Sequence, residues 1–199
     1  MSRNVLTRAA VAGVAVLLSA YANAQEFQAG LNGFEEVGPL PKVTLPPAPA
    51  TEPETFSFPT GAILSKATGT LELDLNKTAA TITYKLTYSA GLSSNVTQAH
   101  IHFGKRHVPG GIMVFFCSNL PNPPTGTPTC PAVSGTVTGT WTPGSIQAIA
   151  GQNVTAGDFG ALVAALTSDT AYANIHTVNF PSGEIRGQVH RPGNGRRDQ

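Results

Sequence analysis

Apolar and polar positions alternate with a period of two along much of this chain, as expected of strands that bury one face. In the stretch from Glu26 to Val37, Phe27, Ala29 and Leu31 alternate with polar or small residues, and Gly33 marks a turn or bulge. From Gly69 to Leu75 the leucines fall at 71, 73 and 75. From Thr81 to Tyr88 one face carries Ile82, Tyr84, Leu86 and Tyr88. Asn76, Lys77 and Thr78 form the turn between these two runs, which predicts an antiparallel hairpin with one buried face. Further strands are predicted over Val96 to Phe103, Ile112 to Phe116, Val133 to Trp141, Ala171 to Thr177 and Gly183 to His190.

One segment switches to helical spacing. Phe159, Leu162, Val163 and Leu166 recur at i, i+3, i+4 and i+7, which predicts a helix over 155–166 that seals one end of the core. Thr155 with Asp158 three residues later resembles a capping box at its start. About eight or nine short strands with one brief helix favour an all-β fold, a Greek-key β-sandwich rather than a closed barrel.

Composition changes the picture at the two ends and in one loop. Arg3 and Arg8 precede an apolar run from Ala9 to Ala20, and Ala22, Asn23 and Ala24 form a small-residue cleavage site. These features predict an export signal over 1–24, cut before Gln25, with an uncleaved N-terminal anchor as the alternative. The expected product is periplasmic or secreted. It has one domain over 25–191, a frayed, disordered tail over 192–199 and no further segment long enough to cross a membrane. Loss of the two leader arginines leaves ten basic side chains against eleven acidic ones, a balance that argues against nucleic-acid binding. Seven prolines fall between Pro39 and Pro59, so 38–60 reads as an extended surface loop. Cys117 and Cys130 are the two cysteines, and export predicts that they form a disulfide; a two-cysteine metal site is the alternative.

The candidate chemistry lies in the histidines. His100 and His102 stand two apart in a strand, so both side chains point to one face. His176 lies in a second predicted strand. Two readings are open: buried, hydrogen-bonded rings that hold loops together, or three ligands of one metal ion. Imidazole suits copper, zinc or nickel, and an exported location is compatible with copper, with zinc as the alternative. Ring nitrogens within about 3 to 4 Å of one another fit ligand bonds near 2 Å. Glu184 and Arg186 read as an ion pair, or Glu184 as a hydrogen-bond partner that orients a histidine, with general acid-base work as the sharper alternative. Lys105, Arg106 and His107 read as a solvated loop, with steering of an anion as the sharper alternative. No nucleophile is paired with a base, and no phosphate-cradling glycine loop is present.

Taken together, Ala99 to Gly104, Asp158-Phe159, Ala173 to Thr177 and the run Phe180 to Val189 resemble the CHRD domain, first named from chordin and common in exported bacterial proteins. Leu31, Asn32 and Gly33 with Glu35 and Glu36 are similar to the start of that family. The resemblance covers about 26–190 and implies an all-β extracellular or periplasmic module without an established reaction. A weaker similarity is to copper/zinc superoxide dismutases, which place two copper-binding histidines as H-x-H and a further one before a C-terminal glycine-rich strand. His100, His102 and His176 match that order, but His107 stands alone where a zinc subloop belongs, and Glu184 stands where those enzymes carry an arginine. The expectation is therefore a non-catalytic or weakly redox-active copper-binding domain. An interaction module whose histidines are structural is the second reading, and a dismutase-like redox enzyme the third.

Overall fold

The structure, a computed structural model, describes residues 24–37, 43–44, 55–56 and 61–193. The predicted leader, apart from Ala24, and the tail beyond Gly193 lie outside the described residues. So does most of the proline-rich stretch, of which only Val43–Thr44 (β2) paired with Thr55–Phe56 (β3) is described.

The alternating runs become strands. These are Ala24–Asn32 (β1), Thr68–Asn76 (β4), Thr81–Tyr88 (β5), Val96–Phe103 (β6), Gly111–Ser118 (β7), Gly135–Trp141 (β8), Ala171–Thr177 (β9) and Ile185–Gln188 (β10). They form one antiparallel eight-stranded sheet in the order β7-β6-β9-β10-β1-β4-β5-β8, so the all-β expectation holds. The first strand ends earlier than its pattern suggests. Asn32 accepts hydrogen bonds from the backbone of Phe34 and Glu35 and turns the chain into a short 3₁₀ helix, Gly33–Glu35. The β4–β5 hairpin turns where Asn76 accepts a hydrogen bond from the Ala79 N–H.

One face of the sheet is the core. Phe27, Leu31, Leu71, Leu73, Leu75, Ile82, Leu86, Ile101 and Ile175 are all buried there. The sheet curls until its two edge strands, β7 and β8, approach each other. Side chains bridge them rather than a backbone ladder. The Tyr84 hydroxyl donates to Phe116 O at 3.0 Å, and Trp141 Nε1 donates to Phe115 O at 2.8 Å. Tyr84 and Trp141 stack with centroids 4.6 Å apart, so two aromatic rings fill the seam.

The helix (α1) spans Phe159–Thr167 and starts later than predicted. Gly157 has φ +83°, which no α-helix contains, so Thr155 belongs to the preceding turn. Asp158 is the N-cap, accepting from the Ala161 N–H at 2.8 Å. Leu162, Ala165 and Leu166 are buried against the core, with Phe159 and Val163 partly so.

Cys117 and Cys130 are bonded, 13 residues apart, and tie the end of β7 to the loop that leads into β8. In the chain-entropy account, closing a loop of this size stabilises the fold by about 3 kcal/mol. The Cys117→Ala/Cys130→Ala variant is expected to lower the urea midpoint by an amount equivalent to roughly that value. An unchanged midpoint would show that the loop is held without the bond.

Candidate metal centre

The register between β6 and β9 builds the centre. Gln98 pairs with His176, His100 with Asn174 and His102 with Tyr172. Paired residues share a sheet face, so the three histidines, Asn174 and Tyr172 stand together. His176 is the diagonal neighbour of His100. Ala99, Ile101, Ala173 and Ile175 point the other way, into the core. The histidines therefore occupy the outer face of the sheet. Two β7 irregularities, between the partners of Ala99 and His100 and of Ile101 and His102, flank them. Such bulges re-aim neighbouring side chains.

An outer face is normally wet, yet His100 is 0 % exposed and His176 6 %. Three connections cover them. The 33–37 turn brings Glu36, which accepts from Asn174 Nδ2 at 2.6 Å. The 104–110 loop brings Gly110, whose carbonyl accepts from His102 Nδ1 at 2.8 Å. The 178–183 loop brings Pro181, whose carbonyl accepts from His176 Nδ1 at 2.9 Å. Arg106 and His107 lie on an exposed loop, as read from sequence, and also clasp Glu35 at 3.0 and 3.2 Å, joining two of the covering loops. Gly183 sits at φ +127° against Glu36 and Asn174, where a Cβ would collide with both side chains.

The ring centroids of His100 lie 4.5 Å from those of both His102 and His176, and the latter two are 6.1 Å apart. One ring nitrogen from each lies within 4.8 Å of the others. This limit is wider than the 3 to 4 Å expected, and bonds of about 2.0–2.1 Å need the rings to swing slightly inward. A carbonyl only accepts, so Nδ1 of His102 and of His176 carries the proton and each Nε2 keeps its lone pair. His176 Nε2 and both ring nitrogens of His100 are buried without a partner. Each such orphan costs about 1–3 kcal/mol. Burial pushes the His102 and His176 imidazoles down to about 4, and the His100 imidazole further below its ordinary range, with its two neighbours adding to the effect. The rings are neutral at pH 7, as ligands must be.

Glu184 and Arg186 do not form the ion pair or ring contact considered from sequence. Glu184 is 0 % exposed and takes four hydrogen bonds: from Ser65 Oγ, from the Ser93 N–H and Oγ, and from Thr177 Oγ1. It precedes β10, and its carboxylate is saturated by these donors instead of reaching an imidazole. Arg186 donates from one terminal nitrogen to the carbonyls of Lys105 and Val108 and lies over the Tyr172 ring, 3.4 Å from its centroid. Tyr172 in turn stacks on His102, 4.6 Å away and 9° from parallel. Its hydroxyl accepts from the Gly110 N–H. Sequence reading assigned no role to Tyr172, Asn174 or Glu36. The available signal was the spacing of Tyr172, Asn174 and His176, alternate residues of one strand.

A β-sheet domain with a covered histidine cluster on its outer face is the class that these features define. The family model for the CHRD domain matches residues 27–189, and the chain belongs to that family. Neither the curated proteins nor the solved structures contain a significant match.

Two outcomes are expected. The three buried imidazoles bind fewer protons folded than unfolded, where the ordinary value is 6.5. Their contribution to metal-free stability is thus complete above about pH 6.5 and is lost as pH falls toward 4. Burial raises the Glu36 pKa, and that single group runs the opposite way. Urea midpoints of chelator-treated protein should fall between pH 7 and 4.5, less steeply in His176→Gln; a flat profile contradicts the neutral-ring assignment. Glu184→Gln puts an amide against hydroxyl and N–H donors and should cost at least about 2 kcal/mol in the same measurement.

Proposed function

We propose that this protein is an exported CHRD domain that binds one transition-metal ion, copper first and zinc as the alternative, through His100, His102 and His176. The observation that carries the reading is the set of orphaned nitrogens. His100 is fully buried with neither nitrogen partnered, and His176 presents an unpartnered Nε2 beside it. Rings that merely held loops together would spend both nitrogens on hydrogen bonds. Here the Nδ1 atoms of His102 and His176 are spent on carbonyls and the opposite edges remain free for an ion.

Export rests on the N-terminal pattern, cut after Ala24, and is supported by the Cys117–Cys130 bond, which persists in oxidising compartments. The functional unit is then 25–191, with 192–199 as a tail. A second reading, an interaction module without metal, draws on the exposed Phe34, Val108 and Val178, one on each covering loop.

Titration of the chelator-treated protein with copper and zinc at neutral pH, with elemental analysis after gel filtration, tests the proposal. One equivalent bound at micromolar affinity or tighter is expected, falling by at least about 100-fold in His100→Ala or His176→Ala. Uptake of neither metal leaves the interaction module as the better reading.

A further inference from the structure

Beside the three histidines lies a stack that metal ligation alone does not require. Arg186 is 1 % exposed, and its guanidinium carbon is 3.4 Å from the Tyr172 ring centroid. Tyr172 lies flat on His102. Gly110 locks the stack from the side: its N–H donates to the Tyr172 hydroxyl and its carbonyl accepts from His102 Nδ1. The guanidinium hydrogen bonds run to the carbonyls of Lys105 and Val108, and its other terminal nitrogen is buried without a partner. Glu36 and Glu35 are near enough to be felt electrostatically, but the hydrogen bonds of Glu36 go to Asn174 and the Val37 N–H, and those of Glu35 to Arg106 and His107. Buried positive charge thus stands one ring, Tyr172, behind His102.

The donor set points the same way. Among the described residues the cluster consists of three neutral imidazoles and includes no carboxylate or thiolate. Nothing in it cancels the charge of a bound ion. In a buried site every uncompensated charge is costly, and a second cation nearby adds repulsion in proportion to the ion's charge. Cu(II) and Zn(II) carry two charges, whereas Cu(I) carries one. Three imidazoles also leave Cu(II) short of the tetragonal set that it prefers.

We infer that the centre is a site for a monovalent soft ion, Cu(I), and that Arg186, acting through Tyr172 and His102, is the positioning residue that sets this preference. The inference rests on the metal-binding reading above and goes beyond it by naming the oxidation state and the residue that selects it. A single charge at this remove, at an effective dielectric near 20, shifts the ratio of Cu(I) to Cu(II) affinity by about tenfold. For a one-electron couple that is about 59 mV in reduction potential.

The test uses purified full-length protein. Cu(I) affinity is measured by competition with a chromogenic chelator under reductant, Cu(II) and Zn(II) affinity by aerobic titration, and the potential of the copper-loaded protein by spectroelectrochemistry. The expected wild-type result is tightest binding of Cu(I), with a potential above that of copper-imidazole complexes in water. Arg186→Gln keeps a donor for the carbonyls and should lower the Cu(I) to Cu(II) ratio by about tenfold, while Arg186→Lys retains it. An unchanged ratio in Arg186→Gln, or wild-type protein that binds Cu(II) or Zn(II) at least as tightly as Cu(I), overturns the inference and leaves metal binding standing. If Arg186→Gln does not fold, the wild-type potential decides: a value no higher than that of the aqueous complexes overturns it. Uptake of no ion by wild-type protein overturns the metal-binding reading itself.

Discussion

The pairing of β6 with β9 is the constraint on which the rest depends. Because Gln98 lies opposite His176 and His100 opposite Asn174, the third histidine falls diagonally beside the first two. A slip of one residue would turn His176 into the core and Ile175 outward. The core prevents that slip: Ile101, Ala173 and Ile175 are fully buried on the opposite face, and moving them into water costs more than any contact the outer face would regain. Apolar packing on one side of the sheet thereby positions the polar chemistry on the other.

A row of polar side chains on an outer face needs no shelter, and here it is sheltered nonetheless. All seven residues of β9 are buried, which means that both of its faces are covered. The cover is held by polar bonds rather than by apolar packing. Glu36 meets Asn174, Arg106 and His107 meet Glu35, and backbone carbonyls of two loops take the histidine and arginine protons. Desolvation of so many polar groups is tolerated because nearly all are satisfied. Among the described residues the exceptions are the ring nitrogens of His100 and His176, with Asn174 and Arg186 next to them, and the side-chain oxygens of Gln25 and Gln188 elsewhere. A fold that saturates Glu184 with four donors does not lack the means to satisfy an imidazole. The unspent bonding capacity around His100 and His176 is what the metal-binding proposal draws on.

Strand-level reasoning succeeded where one physical signal dominated. Thr81 to Tyr88 and Val96 to Phe103 have the predicted limits because alternation and turn residues agree there. The helix starts four residues later than its capping pattern at Thr155 predicts because the left-handed Gly157 interrupts that pattern. The site was half legible. H-x-H is visible in one strand, and His176 carries its own motif, but the roles of Glu184 and Arg186 were not readable from their spacing. Glu184 stands before the strand proper, beyond the regular alternation, and its partners come from Ser65, Ser93 and Thr177, far apart in sequence. Glu36 was hidden for the same reason: its partner Asn174 lies 138 residues away.

By itself the sequence determined an all-β domain, the limits of strands such as Thr81–Tyr88 and Val96–Phe103, the cysteine pair and which histidines share a strand face, since periods of two and turn chemistry act over a few residues. Only the tertiary structure decided that these histidines converge, that loops bury them, and that Arg186 reaches them through Tyr172. Those outcomes follow from strand register and from contacts between distant segments, where the free energy belongs to the packed whole and no local pattern records it.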